Sequence, residues 1–112
     1  MIINLFDLEK KFPKNLTKDI EGYYSSGARD EITLKRNRDV FNNWEILPKF
    51  LRDVSKIDTT TSILGEKIES PILLAPVAMQ QMAHKDGEIA TAKAAKKFNT
   101  IMTHSTIANY GI

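Results

Sequence analysis

The chain has 112 residues, 42% hydrophobic and 27% charged, and contains no cysteine. This is ordinary usage for one small globular domain and argues against global disorder, while the absent cysteines exclude a disulfide framework, a thiolate metal site and a cysteine nucleophile. Lys and Arg number 16 against 14 Asp and Glu, a net charge of +2, too small for a nucleic-acid or membrane-surface binder.

Met1-Ile2-Ile3-Asn4 lacks the basic flank and apolar run of a secretory leader. Pro71 to Met79, the longest nearly apolar stretch, is far short of a membrane span, so a soluble intracellular protein is expected. Asn4 can cap a short helix carrying Asp7 in its first turn and Leu5, Leu8 and Phe12 on one face, with Pro13 ending it. A second helix is predicted from Lys14 or Thr17 to Ser26, with Gly27 as its left-handed stop. Asp30 is placed as the cap of a third helix, whose apolar positions Ile32, Val40, Phe41 and Trp44 fall near helical spacing. Pro48 closes this section.

Thr60 to Leu64 and Lys67 to Ile68 are β-prone and flank Gly65-Glu66, which predicts a hairpin with glycine at its first central position. Ile72-Leu73-Leu74-Ala75 shows no polar alternation, as expected of a strand covered on both faces in a parallel sheet. After a loop, Asp86-Gly87-Glu88 opens a helix with a face of Ala90, Ala94, Ala95 and Phe98, and Asn99 caps its end. Thr100-Ile101-Met102-Thr103 is a second strand. Strand, helix and strand in about 30 residues make a βαβ unit, so the class is α/β. No internal repeat interrupts this order.

Ligands of α/β proteins collect at the C-terminal ends of parallel strands, here Ala75 to Gln80 and His104-Ser105-Thr106. The first segment offers backbone groups beside small side chains, which suits a flat polar ring; the second offers hydroxyls. By spacing alone a plain loop is the commoner reading. No glycine-rich phosphate loop and no Gly-x-Ser-x-Gly elbow is present. His84 and His104 lack ligand spacing to a carboxylate cluster, so no metal site is expected. His84 reads as a surface or hydrogen-bonding residue, and structural placement is favoured for His104. Lys93, Lys96 and Lys97 read as a solvated helix end.

Tyr23-Tyr24-Ser25-Ser26-Gly27-Ala28, followed by Asp30-Glu31 and Thr33, resembles the N-terminal signature of the FMN-dependent 2-hydroxy-acid oxidases and dehydrogenases. The likeness continues through Asn37-Arg38, Pro48, Asp53-Val54, Asp58, Ile63-Leu64-Gly65 and Pro71-Ile72. It then takes in Ala75-Pro76-Val77-Ala78-Met79-Gln80, Met82-Ala83-His84, Gly87-Glu88, Ala90-Thr91-Ala92 and Thr100-Ile101-Met102-Thr103. It thus covers nearly the whole chain in order.

The resemblance implies the N-terminal portion of a (β/α)8 TIM barrel: leading helices, a hairpin that closes the barrel bottom, and the first βαβ unit. The barrel would be incomplete here, since a whole one takes roughly 250 residues. Residues 1–112 are accordingly expected to be one incomplete domain, with leading helices and an extended segment over 1–58 and the hairpin and βαβ unit over 59–112. The implied cofactor is FMN, contacted by Pro76, Val77 and Ala78, largely through backbone, and by Ser105. Tyr23 matches the tyrosine whose hydroxyl binds the substrate carboxylate; without the resemblance it reads as a half-buried helix residue. The implied reaction oxidises a small (S)-2-hydroxy acid, of glycolate or lactate type, to the 2-oxo acid.

Three positions depart from the pattern. His104 replaces a more usual apolar residue, and nothing in the sequence gives a physical account of it. Val77 stands where plant glycolate oxidases carry threonine, removing any side-chain hydroxyl contact. Ile107 replaces a tryptophan that borders the substrate, which changes the pocket's shape. The family's base histidine, carboxylate-binding arginine and flavin-supporting lysine lie later than Ile112, so no catalytic residue is expected within these 112. A homo-oligomer is expected of a longer form, and a cytoplasmic or peroxisomal location. A different class remains open: a non-catalytic remnant serving as a structural or interaction module.

Overall fold

The computed structural model describes residues 1–11 and 16–111, which fall into two units, Met1–Pro48 and Lys49–Ile112. Phe12, Pro13 and Lys14, placed by sequence in the first two helices, lie outside the described residues.

In the first unit, Asn4 caps helix α1 (Leu5–Glu9) as its sequence position suggests. Its Oδ1 accepts from the Asp7 amide at 3.1 Å, and Asp7 Oδ2 accepts from the Ile3 amide at 3.0 Å, satisfying two amides at the helix start. Thr17 caps α2 (Lys18–Ser25), its Oγ1 accepting from the Ile20 amide at 3.4 Å. Gly27 is not the left-handed stop expected of it: α2 ends because Ser26 turns extended, with φ −90° and ψ 157°. A side chain at Gly27 would bring its Cβ within 2.9 Å of Leu34 Cβ, so close approach is the reason for glycine here.

The third helix also starts differently. Glu31, not Asp30, precedes α3 (Ile32–Asp39); it is left-handed at φ 57° and makes no side-chain cap bond. Its Oε1 instead accepts from the Gly27 amide at 3.1 Å. A 3-10 turn over Val40–Asn43 follows. Arg38 links α3 to α1, lying 4.7 Å over the Phe6 ring and 3.3 Å from Glu9 Oε2.

The second unit opens with two side-chain turns, in which Asp53 and Asp58 accept from the amides of Ser55 and Thr60, each at 2.9 Å. The predicted hairpin forms as β1 (Thr61–Ile63) and β2 (Glu66–Ile68), paired antiparallel with Ile63 opposite Glu66. Its central residues are Leu64 and Gly65, at φ 53° and 86°, rather than Gly65 and Glu66. Both being left-handed is the requirement of a type I′ turn, whose twist matches that of the strands.

The two expected barrel strands are reduced to one parallel bridge, Leu74 with Met102. Among the described residues neither segment extends into a strand, and there is no closed barrel.

Between the bridge partners runs α4 (Gly87–Lys97). Of the predicted inward face Ala95 is buried, whereas Ala90, Ala94 and Phe98 are exposed; Gly87 and Glu88 are buried with Ala95 and Thr91 is half-buried. The C-terminal stop is as expected of Asn99, which is left-handed at φ 45°. The Asn99 amide donates to Lys96 O at 3.2 Å and the Thr100 amide to Ala95 O at 3.0 Å, the paired bonds of a Schellman motif. Among the described residues no helix is long and apolar enough to cross a membrane.

Candidate functional site

The Leu74 amide donates to Ile101 O at 3.0 Å, and Leu74 O accepts from the Thr103 amide at 2.9 Å. A parallel pair sends both chains out at the same end, so Ala75–Gln80 and His104–Ile107 leave side by side. The Met79 amide donating to Ile107 O at 3.2 Å fixes the two segments to each other. The predicted contact residues Pro76, Val77, Ala78, Ser105 and Ile107 are thereby gathered on one rim.

Val77 and Ile107 are exposed there, and Ser105 is half-buried. Val77 O accepts from Gln80 Nε2 at 3.2 Å, and Ser105 Oγ accepts from the Ile107 amide at 3.2 Å, while among the described residues its hydroxyl donates to no protein group. Among the described residues, the amides of Val77 and Ala78 donate to no protein group. A shallow depression of about 340 Å³ lies beside Ser105, lined by His104, Ser105, Thr106, Ala108, Tyr110 and Gly111.

Tyr23 stands in the first unit, 51% exposed. Its ring meets Tyr24 edge-on, with centroids 5.2 Å apart. His84 Nδ1 accepts from the Asp86 amide at 3.2 Å, a turn-stabilising role in keeping with its place in a polar loop. His104 Nε2 lies 2.8 Å from Tyr110 O, the structural placement favoured for it.

Beneath the rim is a residue whose sequence position suggests only a helix start. Glu88, 3% exposed, sits in the first turn of α4. Its Oε1 accepts from the Gln80 amide at 3.1 Å and from the Asn109 amide at 3.2 Å, one from each rim segment. Around it, Thr91 Oγ1 donates to Gln80 Oε1 at 2.5 Å, and the Gln81 amide donates to Asn109 Oδ1 at 2.9 Å. The signal available in sequence was spacing: Glu88, Thr91 and Ala95 recur on one helical face, which puts the carboxylate on the packed side.

Burial pushes the Glu88 carboxyl upward. Its own amide, those of Gln80 and Asn109, and the nearby His104 charge outweigh burial and hold it below its ordinary value of 4.5. A carboxylate depressed on folding stabilises above its unfolded-state value, and that contribution is lost as pH falls through the lower folded-state value. The Glu88 titration is therefore expected to move the amide resonances of Gln80 and Asn109 only below 4.5. A midpoint at or above 4.5 would contradict the assignment.

A family model for FMN-dependent dehydrogenases matches residues 13–112. The chain belongs to that family. Glycolate oxidase 3 of Arabidopsis thaliana is 47% identical over 111 residues, covering 99% of this chain and 30% of the relative. L-lactate oxidase of a Nostoc species is 47% identical over 106 residues, 95% of this chain and 29% of the relative. A solved soluble mutant of the membrane-associated (S)-mandelate dehydrogenase from Pseudomonas putida matches with a TM-score of 0.92 at 34% identity, over 99% of this chain and 32% of that one. The chain thus spans about 30% of the length of the curated relatives it matches.

FMN is the cofactor of an FMN-dependent dehydrogenase, and the rim fits its ring. A flavin has a flat apolar body with carbonyl and nitrogen acceptors along its edge. The amides of Val77 and Ala78 and the Ser105 hydroxyl, none of which donates to a protein group among the described residues, are donors suited to such a ring, and Pro76, Val77 and Ala78 carry only small or compact side chains.

Proposed function

We propose that this chain forms the N-terminal portion of an FMN-dependent 2-hydroxy-acid oxidase or dehydrogenase barrel, supplying a share of the flavin bed and a substrate-binding hydroxyl. The protein carrying it oxidises a small (S)-2-hydroxy acid of glycolate or lactate type to the 2-oxo acid. The observation that carries this reading is the shared rim, where Val77, Ala78 and Ser105 present donors from adjacent parallel segments. Bound FMN supplies the two-electron acceptor. The amides of Val77 and Ala78 and the Ser105 hydroxyl orient the ring, and Ile107 borders the substrate side. The Tyr23 phenol donates to the substrate carboxylate, a task suited to a neutral, directional donor on an apolar ring.

Two measurements on the 112-residue chain test the reading. Added FMN is expected to shift the amide resonances of Val77, Ala78 and Ser105 in a saturable way, weakly because the bed is incomplete. Unmoved resonances at millimolar FMN would count against it. Turnover of glycolate or lactate with added FMN should be absent: His84 is engaged in its turn and His104 with Tyr110, leaving neither placed as the base. Oxidation above a no-protein control would overturn this assignment of roles.

Tyr23→Phe keeps the ring and removes the donor. In a catalytically competent protein carrying this segment it should lower kcat/KM by roughly 10- to 100-fold, the loss of one hydrogen bond to a charged group at roughly 1.5–3 kcal/mol. Unchanged steady-state constants would make Tyr23 structural only.

A further inference from the structure

Two segments meet on the rim, yet a single bridge pairs the strands that deliver them. One hydrogen-bonded bridge leaves considerable freedom in how far apart the following loops lie. The Met79–Ile107 and Gln81–Asn109 bonds tie the two loops directly, and α4 adds a link to both from below.

Glu88 Oε1 takes one amide from each side, Gln80 at 3.1 Å and Asn109 at 3.2 Å. Gln80 lies two residues beyond Ala78, and Asn109 four beyond Ser105. The carboxylate is fixed in turn, since it belongs to the first turn of a helix whose positive end favours an anion. Its second oxygen, Oε2, is buried and without a hydrogen-bond partner among the described residues. An anion with an orphaned buried oxygen is an expensive feature where helix capping is the only task, because an exposed carboxylate would serve the helix end as well. Gln80 extends the connection, joining Thr91 through its Oε1 and Val77 O through its Nε2 at 3.2 Å.

We infer that Glu88 is a positioning residue, a buried carboxylate brace that holds the 76–80 and 104–109 segments at one fixed separation so that their donors meet the flavin ring together. The inference rests on the function proposed above for the ring-facing donors, while the brace itself is a property of the chain without flavin. Glu88 touches neither ring nor substrate; it acts through Gln80 and Asn109.

Amide hydrogen exchange on the 112-residue chain tests the brace directly, with Glu88→Ala and Glu88→Gln compared with the unmodified protein. Glu88→Ala should speed exchange at Gln80 and Asn109 by roughly tenfold to a hundredfold, the loss of one charge-assisted bond at each amide. The amides of Leu74 and Thr103, which hold the parallel bridge, should change little. Glu88→Gln keeps an acceptor oxygen and should restore most of the protection. In the same samples, the FMN-induced shifts at Val77 and Ser105 should need about tenfold more FMN in Glu88→Ala. Unchanged exchange at Gln80 and Asn109 would overturn the brace, as would rapid exchange there in the unmodified chain. Equal acceleration at all four amides would overturn it too, by making Glu88 a general stability residue. If exchange responds as expected but the unmodified chain gives no FMN shift, the flavin reading fails while the brace stands as a structural link only.

Discussion

At low micromolar concentration the 112-residue chain is expected to sediment as an oligomer, or as a monomer without one sharp thermal transition, and in both cases to bind an apolar-surface dye. Ile68 and Ala95 are the buried hydrophobic residues among those described, whereas Phe41, Trp44, Ile46 and Phe50 are all more than 70% exposed. Each large apolar side chain left in water forgoes roughly 1.5–3 kcal/mol that burial would return. The residues meant to pair in a sheet are also uncovered, with Ile72 70% exposed and the backbone around Leu74 bonded through a single parallel bridge. Bare strand edges and apolar patches larger than a few hundred Å² recruit other chains. Sedimentation velocity with a thermal melt checks this. A monomer with one cooperative transition and no dye binding would show a self-sufficient domain and favour an interaction module over a segment of an enzyme.

The same exposure explains what could be read from sequence. Short-range chemistry was legible where one residue decides the outcome: Asn4 and Thr17 at helix starts and Asn99 at a helix stop all act locally. Side-by-side placement of the Val77 and Ser105 segments was legible too, because parallel strands impose it. The failures lie where the backbone answers to a neighbour rather than to propensity. Gly27 looked like a left-handed stop, but the nearness of Leu34 explains it. Leu64, a residue disfavoured at positive φ, carries half of the hairpin turn, so the turn falls one residue earlier than glycine alone suggests. On α4 the small alanines suggested the packed face, whereas the buried positions include Glu88, because amides from two loops compensate its charge. That compensation comes from residues 8 and 21 positions away, beyond any local pattern.

Gly87→Ala should be among the most damaging single substitutions to the rim, while Gly22→Ala should be mildly favourable. Gly87 has φ 45°, a conformation costing a side-chain-bearing residue roughly 1–3 kcal/mol. An added Cβ would also lie 2.8 Å from Gln81 Cγ and 3.2 Å from the Gln81 backbone nitrogen. The side-chain contact could relax only by moving a group already engaged, since Gln81 Nε2 donates to Lys85 O at 3.2 Å and to Tyr110 Oη at 2.7 Å. The backbone contact would displace the amide that donates to Asn109 Oδ1 at 2.9 Å. Forced shifts of this kind in packed sites add roughly 1–3 kcal/mol. Gly22 differs on both counts: it lies inside α2, and a Cβ there meets nothing within 4 Å. Alanine should therefore firm that helix by roughly 0.5–1 kcal/mol. Amide exchange reads the first effect as lost protection at Gln81 and Asn109, and far-ultraviolet circular dichroism reads the second as added helicity. Because the two changes are chemically identical, opposite signs would isolate backbone conformation and local space as the cause. Protection at Gln81 and Asn109 surviving in Gly87→Ala would mean that the turn into α4 does not hold the two rim segments together.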